Sequence, residues 1–143
     1  MESYALTLIE SANDAAAYHE IRHHVLFGGS EEYIRNGPEE VKAENLSLLL
    51  KFEGTPIGTV RLDQKGDNKA IVRLVAIVSN LQRQGHGTAL MDQVARLALS
   101  LGIKELLVNA RPSASGFYLR LGYSPFTFEP DNYGGIQLRK MIS

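Results

Sequence analysis

At 143 residues the chain has the length of one domain, spanning 1–143, and can bury about two-thirds of its unfolded surface without metals or disulfides. Apolar residues make up 44% and charged residues 22%, which excludes a disordered or fibrous class, and the net charge of −1 gives no general reason to bind nucleic acid or an anionic membrane. The absence of cysteine excludes disulfides, thiolate metal sites and acyl transfer through a cysteine nucleophile, and with no signal-peptide pattern at Met1-Glu2-Ser3-Tyr4 a cytoplasmic protein is expected.

Residues 4–10 alternate modestly and are rich in β-formers, which predicts a first strand. Asn13 or Asp14 is placed to cap a helix reaching about Phe27, where Gly28-Gly29 stops it. Residues 30–44 are polar, hold Gly37-Pro38 and read as an irregular or short helical connection where substrate contacts would lie. Residues 46–52 and 57–63 read as a hairpin turning at Glu53-Gly54-Thr55, and Lys65-Gly66-Asp67-Asn68 turns the chain into a third meander strand over 70–78.

The most informative stretch comes next: Gln82-Arg83-Gln84-Gly85-His86-Gly87, between that strand and an amphipathic helix over 88–101. Two glycines one residue apart permit a tight turn and open main-chain N–H groups to a ligand. The helix that follows leaves its first N–H groups unpaired and carries partial positive charge there, so a phosphate or pyrophosphate is stabilised. His86-Gly87-Thr88 has no lysine for a P-loop, and Leu90 stands where a dinucleotide fingerprint needs a third small residue. An ordinary strand-to-helix turn is the competing reading of the hexapeptide.

The helix carries Leu90, Val94, Leu97, Ala98 and Leu101 on one stripe, which should pack on a sheet. Residues 104–108 read as a short buried strand. Pro112 suits the first turn of a second helix capped by Ser113, with Ala114, Phe117, Tyr118 and Leu121 at helical spacing and Gly122 ending it. A closing strand pair is expected over 123–128 and 135–141.

The loop's pattern Gln/Arg-x-x-Gly-x-Gly/Ala after a strand resembles the coenzyme A pyrophosphate loop of the GNAT superfamily of N-acyltransferases. The later segment Ala114, Phe117, Tyr118, Gly122 and Tyr123 is similar to a second signature of that superfamily, and two linked signatures in order are more specific than either alone. Val75-Ala76-Ile77 is similar to the apolar strand before the loop. The closest likeness within the superfamily is to a small bacterial-type branch, through Ile21-Arg22 and Val25, the strand Gly58-Thr59-Val60-Arg61-Leu62, and Gly135-Ile136-Gln137-Leu138.

The resemblance implies an α+β, three-layer α/β/α fold, with a mixed, mostly antiparallel twisted sheet and helices on both faces. It implies acetyl-CoA as co-substrate, no metal, and transfer of the acetyl group to a primary amine of a small molecule or peptide, by direct attack in a ternary complex. Two strands, 73–78 and 104–108, would splay apart to admit pantetheine, whose amides would pair with Val75, Ala76 and Ile77. The pyrophosphate would rest on Gln82, Arg83, Gln84, Gly85, His86, Gly87 and Thr88. The N–H of Ile77 would polarise the thioester carbonyl, and Tyr118 would protonate or hydrogen-bond the sulfur; an interior tyrosine bonded to a backbone carbonyl is the structural alternative. Arg111 stands where many relatives carry Asn and would help hold coenzyme A or an anionic substrate.

Relatives that use a carboxylate base often place Glu on the strand before the loop, where this chain has Arg73 and Leu74, and Gln82 stands where many have Arg. His23, His24, Glu44 and Asp63 are candidates for the base or a relay to water, and each also has an ordinary structural reading. Arg61 would ion-pair locally or face substrate, His86 is expected to point outward, and the aromatics of residues 126–133 would wall an acceptor pocket. A non-catalytic acyl-CoA sensor or interaction module on the same fold is the alternative function. No nucleic-acid or membrane partner is expected, and a homodimer is left open.

Overall fold

The computed structural model describes residues 3–30, 37–131 and 134–143. Seven strands form one sheet in the order β1-β2-β3-β4-β5-β7-β6: β1 (Tyr4–Leu8), β2 (Asn45–Phe52), β3 (Thr55–Gly66), β4 (Lys69–Ile77), β5 (Glu105–Ala110), β6 (Ser124–Pro125) and β7 (Ile136–Met141). Every pairing is antiparallel except β4 with β5. The α+β expectation of a mixed, mostly antiparallel sheet holds. Two turns make the meander, Glu53-Gly54 and Asp67-Asn68, with all four residues at positive φ, as hairpin turns matched to strand twist require.

Helix α1 (Ala12–Val25) lies on one face of the sheet, where Tyr18 and Ile21 pack with Leu49 and Ala76. Helices α2 (His86–Ser100) and α3 (Ser115–Arg120) lie on the other, over Leu48, Leu50, Val60, Leu62 and Val72. The alternation of Leu48, Leu49 and Leu50 between the two cores is the two-residue period of a strand buried on both sides. Ser11 caps α1 through its hydroxyl, 3.0 Å from the Asp14 amide, in place of the expected Asn13 or Asp14. The expected helix after Pro112 begins as a 3-10 turn over Pro112–Ala114, so Ser113 sits inside that turn and caps nothing. Residues 31–36 of the expected polar connection, and Tyr133, lie outside the described residues.

One irregularity decides the shape of the site. Thr59 pairs with Ala76 and Arg61 with Arg73, so Leu74 and Val75 together face the single residue Val60. This is a β-bulge, and it bends and twists the strand that carries it. Leu74 adopts φ 54°, a region in which a branched residue without glycine's freedom is strained. Pairing of β4 with β5 ends at Val72 with Val108, immediately before the bulge. Beyond it the two strands part.

A candidate acyl-transfer cavity

The parted strands open a cavity of about 1270 Å³ that reaches from the C-terminal end of α1 to the first turn of α2. Val75, Ala76, Ile77, Gln82, Arg83, Gly85, Gly87, Thr88, Arg111 and Tyr118, all singled out from the sequence, line it together. The Val78 amide bonds the Ile57 carbonyl at 2.9 Å, so alternation along the antiparallel pair turns the peptide groups of Ile77 the other way, toward the gap left by β5. The Gln82 side chain donates to the Ile77 carbonyl at 2.9 Å and pins the loop to the strand end.

At the loop, Gly85 takes φ 88° as the residue before α2, and the first helical bond is Ala89 to Gly85. The amides of His86, Gly87 and Thr88 precede that bond, so they lie among the donors an α-helix leaves unpaired at its start. Gly87 has no positive φ; its lack of a side chain matters because a Cβ there would stand 3.4 Å from the Phe117 ring, which seats α3 against α2. Two loop residues turn away from the cavity. Gln84 bonds the Asn80 carbonyl at 3.2 Å. His86 corrects the expectation that it points outward: it is 8% exposed, its Nδ1 lies 2.8 Å from the Tyr4 hydroxyl, and its ring packs on Phe52. The reason is that the first turn of α2 packs over β1, so the residue between the glycines faces the sheet.

Tyr118 lines the cavity from α3, edge-on to Phe117 and Tyr123. Its hydroxyl makes no hydrogen bond with any described residue, which removes the carbonyl-bonded alternative. Burial pushes its pKa up to about 12, so the phenol is neutral at physiological pH.

The opposite end is built from a polar belt that no motif announces. Arg61 and Asp63, two residues apart on β3, face the α1 side and form a two-pronged pair at 2.7 and 3.0 Å. Glu40 joins Arg61 to Arg22 of α1, each at 2.8 Å, and also receives hydrogen bonds from Tyr18 and Ser47. Burial alone would raise the Glu40 pKa, but the bonds from Arg61 and Arg22 outweigh it and hold the carboxyl below its ordinary value. Arg73 lies 3.4 Å from Asp63 and is held by both oxygens of Glu129, which Asn109 also bonds at 2.9 Å. The Arg73 hydrogen bond is the main cause of a lowered Glu129 pKa. Three arginines thus face three carboxylates, Glu40, Asp63 and Glu129.

This belt reassigns the base candidates. Asp63 has both oxygens on Arg61 and is an anchor. His23 meets the Ser30 carbonyl at 2.7 Å, Glu44 is exposed beside β2, and His24 lines a separate recess of about 370 Å³ with Ser79 and Asn80. None of the four lines the cavity. Nor do the described residues of 126–131; Phe126 stacks under Arg139 instead, and Glu129 acts from behind Arg73. Glu40 and Glu129 escape sequence reasoning because their partners are distant in sequence; the only local signal is the alternation Val60-Arg61-Leu62-Asp63, which puts two charges on one strand face. No cluster of metal-ligating side chains occurs among the described residues, and no helix among them is long and apolar enough to cross a membrane.

Comparison with known proteins agrees with this architecture. Residues 9–123 match the model of the acetyltransferase (GNAT) family. A Bacillus subtilis (strain 168) protein to which acetyltransferase activity is provisionally ascribed is 28% identical over 76 residues, 53% of this chain and 51% of that protein, so the chain spans about half the length of that curated relative. Among solved structures, Escherichia coli ElaA superposes with a TM-score of 0.78 at 16% identity, covering 98% of this chain and 99% of that one. The PaiA N-acetyltransferase of Thermoplasma acidophilum, solved in complex with coenzyme A, gives 0.75 at 19% identity, covering 97% and 99%. With a family match over most of its length and a cavity opened by a bulge where two parallel strands part, the chain belongs to the GNAT family of acetyltransferases.

Proposed function

We propose that the protein transfers an acetyl group from acetyl-CoA directly to a primary amine. The observation that carries this reading is the continuity of one cavity past the peptide groups of Ile77, the phenol of Tyr118 and the first turn of α2. In it, pantetheine lies along β4 and pairs with Val75 and Ile77 as a neighbouring strand would. The pyrophosphate takes the amides at the start of α2, with Arg83 and Arg120 beside them. The coenzyme A bound to the Thermoplasma protein named above supports this choice of co-substrate.

The amine attacks as the free base and forms the new C–N bond, while the thioester oxygen takes negative charge within reach of the Ile77 N–H. Collapse breaks the C–S bond and sends the electron pair to sulfur, and the nitrogen's extra proton leaves to water. Burial raises the Tyr118 pKa to about 12, so the phenol keeps its proton at physiological pH and has it to donate in a hydrogen bond. Tyr118 therefore acts by hydrogen-bonding the developing thiolate. No carboxylate lines the cavity among the described residues, and the cationic wall disfavours a bound ammonium, which favours the neutral amine.

That same lack of a carboxylate favours a second reading, a non-catalytic acyl-CoA-binding module. Release of free thiol from acetyl-CoA across a panel of amines separates the two. Amine-dependent release supports transfer, whereas tight coenzyme A binding without release on any amine refutes it and favours the module.

A further inference from the structure

The cavity's charge is one-sided: Arg61, Arg73, Arg83, Arg111 and Arg120 line it, and no Asp or Glu among the described residues does. Arg83 and Arg120 belong to the end formed by the loop and α3. Of the other three, Arg111 is the exposed one, and it reaches the wall of Val25, Leu26 and Phe27 at the cavity's mouth. Arg61 is spent on Asp63 and Glu40 and is 6% exposed. Arg73 directs its Nε toward Asp63 and one N–H from each terminal nitrogen to Glu129, so one N–H on each terminal nitrogen remains.

Arg111 differs from both. It follows the last residue of β5, is exposed, has no carboxylate partner among the described residues, and makes one long contact, Nη2 to the Leu26 carbonyl at 3.4 Å. That contact places its guanidinium across the mouth, against the α1 wall. A planar group with five donors, held at a cavity mouth by one weak bond, matches a carboxylate, which it can receive with two parallel bonds.

We propose that the acceptor is an amino-carboxylate, an amino acid or a peptide read from its carboxylate end, and that Arg111 receives the carboxylate while Arg73 offers its spare N–H groups. This rests on the acetyl-transfer reading and names its substrate class. The belt explains why Arg73 alone does not suffice: its charge is balanced from behind by Glu129 and Asp63, so it orients an anion without adding net attraction. Arg111 supplies the uncompensated charge.

The test uses the whole protein, acetyl-CoA and matched acceptors: leucine, leucinamide and isoamylamine; phenylalanine, phenylalaninamide and phenethylamine; and the dipeptide Gly-Leu with its amide. The readout is the ratio of kcat/KM for each acid over its amide, in wild type, Arg111→Gln and Arg111→Lys. Comparing ratios between variants cancels the differing basicity of the amines. Arg111→Gln is expected to lower the ratio by about 10- to 100-fold, mainly through the acid's KM, as loss of a charge-assisted pair would. Arg111→Lys is expected to retain part of it. Free amino acids and Gly-Leu distinguish the two sources of the carboxylate, and preference for either supports the proposal. A ratio unmoved by Arg111→Gln, or a rise confined to the KM for acetyl-CoA, overturns it while leaving acetyl transfer standing. No turnover on any acceptor overturns both.

Discussion

Removing one oxygen atom from Tyr118 tests the chemistry with little structural disturbance. In Tyr118→Phe the ring that packs against Phe117 and Tyr123 is retained, and the hydroxyl that is lost bonds no described residue. The hydroxyl opens onto the cavity and is not a sealed, unpaired polar atom, so its removal should change stability by less than about 1 kcal/mol. The variant's rate should nevertheless fall. Deleting one preorganised donor to a developing anion costs about 10²–10³ in kcat, or roughly 2.7–4 kcal/mol of transition-state stabilisation, and coenzyme A affinity should change little. The assay is kcat for thiol release with an amine that the panel identifies, after coenzyme A titration and circular dichroism. Because burial holds the phenol near 12, the wild-type pH–rate profile should rise as the amine loses its proton, with no falling limb from Tyr118 below about pH 11. A Phe variant within a few-fold of wild type would remove Tyr118 from the mechanism, and loss of stability with an unchanged rate per folded molecule would make it structural.

Other parts of the molecule give further expected outcomes. A Cβ at Gly58 would stand 2.8 Å from Ile77 Cδ1 and 2.9 Å from the Ala76 carbonyl, so Gly58→Ala should displace the Ile77 amide and lower kcat at least tenfold while coenzyme A titration still shows binding. Glu40→Ala removes the carboxylate that Arg22 and Arg61 share, and because Arg61 keeps Asp63 and Arg22 keeps Tyr18 it should cost about 1.5–3 kcal/mol by urea unfolding. Since the folded-state pKa of Glu40 is depressed, its contribution is present above its ordinary value of 4.5 and lost as pH falls through the folded value, so Glu40→Gln should flatten the acid limb of the stability curve. At the alkaline end, burial raises the pKa of Tyr18 and Tyr118 to about 12 and that of Tyr123 as well; the folded state holds these protons, so stability is full below about pH 10 and is lost as pH rises through 12. Phenolate absorbance should then show three of the six tyrosines ionising only as the protein unfolds.

Much of this was legible because it is local. Glycine at 85 and 87 after an apolar strand announces a turn into a helix, and Leu90, Val94 and Ala98 of the expected stripe are buried together with Met91, whereas Leu101 lies past the helix end and is 44% exposed. The bulge was not legible. Leucine at 74 carries no signature of positive φ, and only the register of β3 against β4 reveals that two residues oppose Val60. The same holds for the polar belt, since Glu40 and Glu129 acquire meaning from Arg22, Arg61 and Arg73, which the chain brings near only when the sheet forms. His86 was misread because two flanking glycines suggest an open turn, whereas the packing of α2 over β1 decides where the side chain goes.

Mass spectrometry of both protein and acceptor after incubation with acetyl-CoA tests direct acetyl transfer within the cavity. One N-acetylated acceptor is expected for each free coenzyme A released, with no acetyl group on the protein when the amine is left out. Stoichiometric acetylation of the protein before the amine is added, or thiol release with no acetylated acceptor, would contradict it.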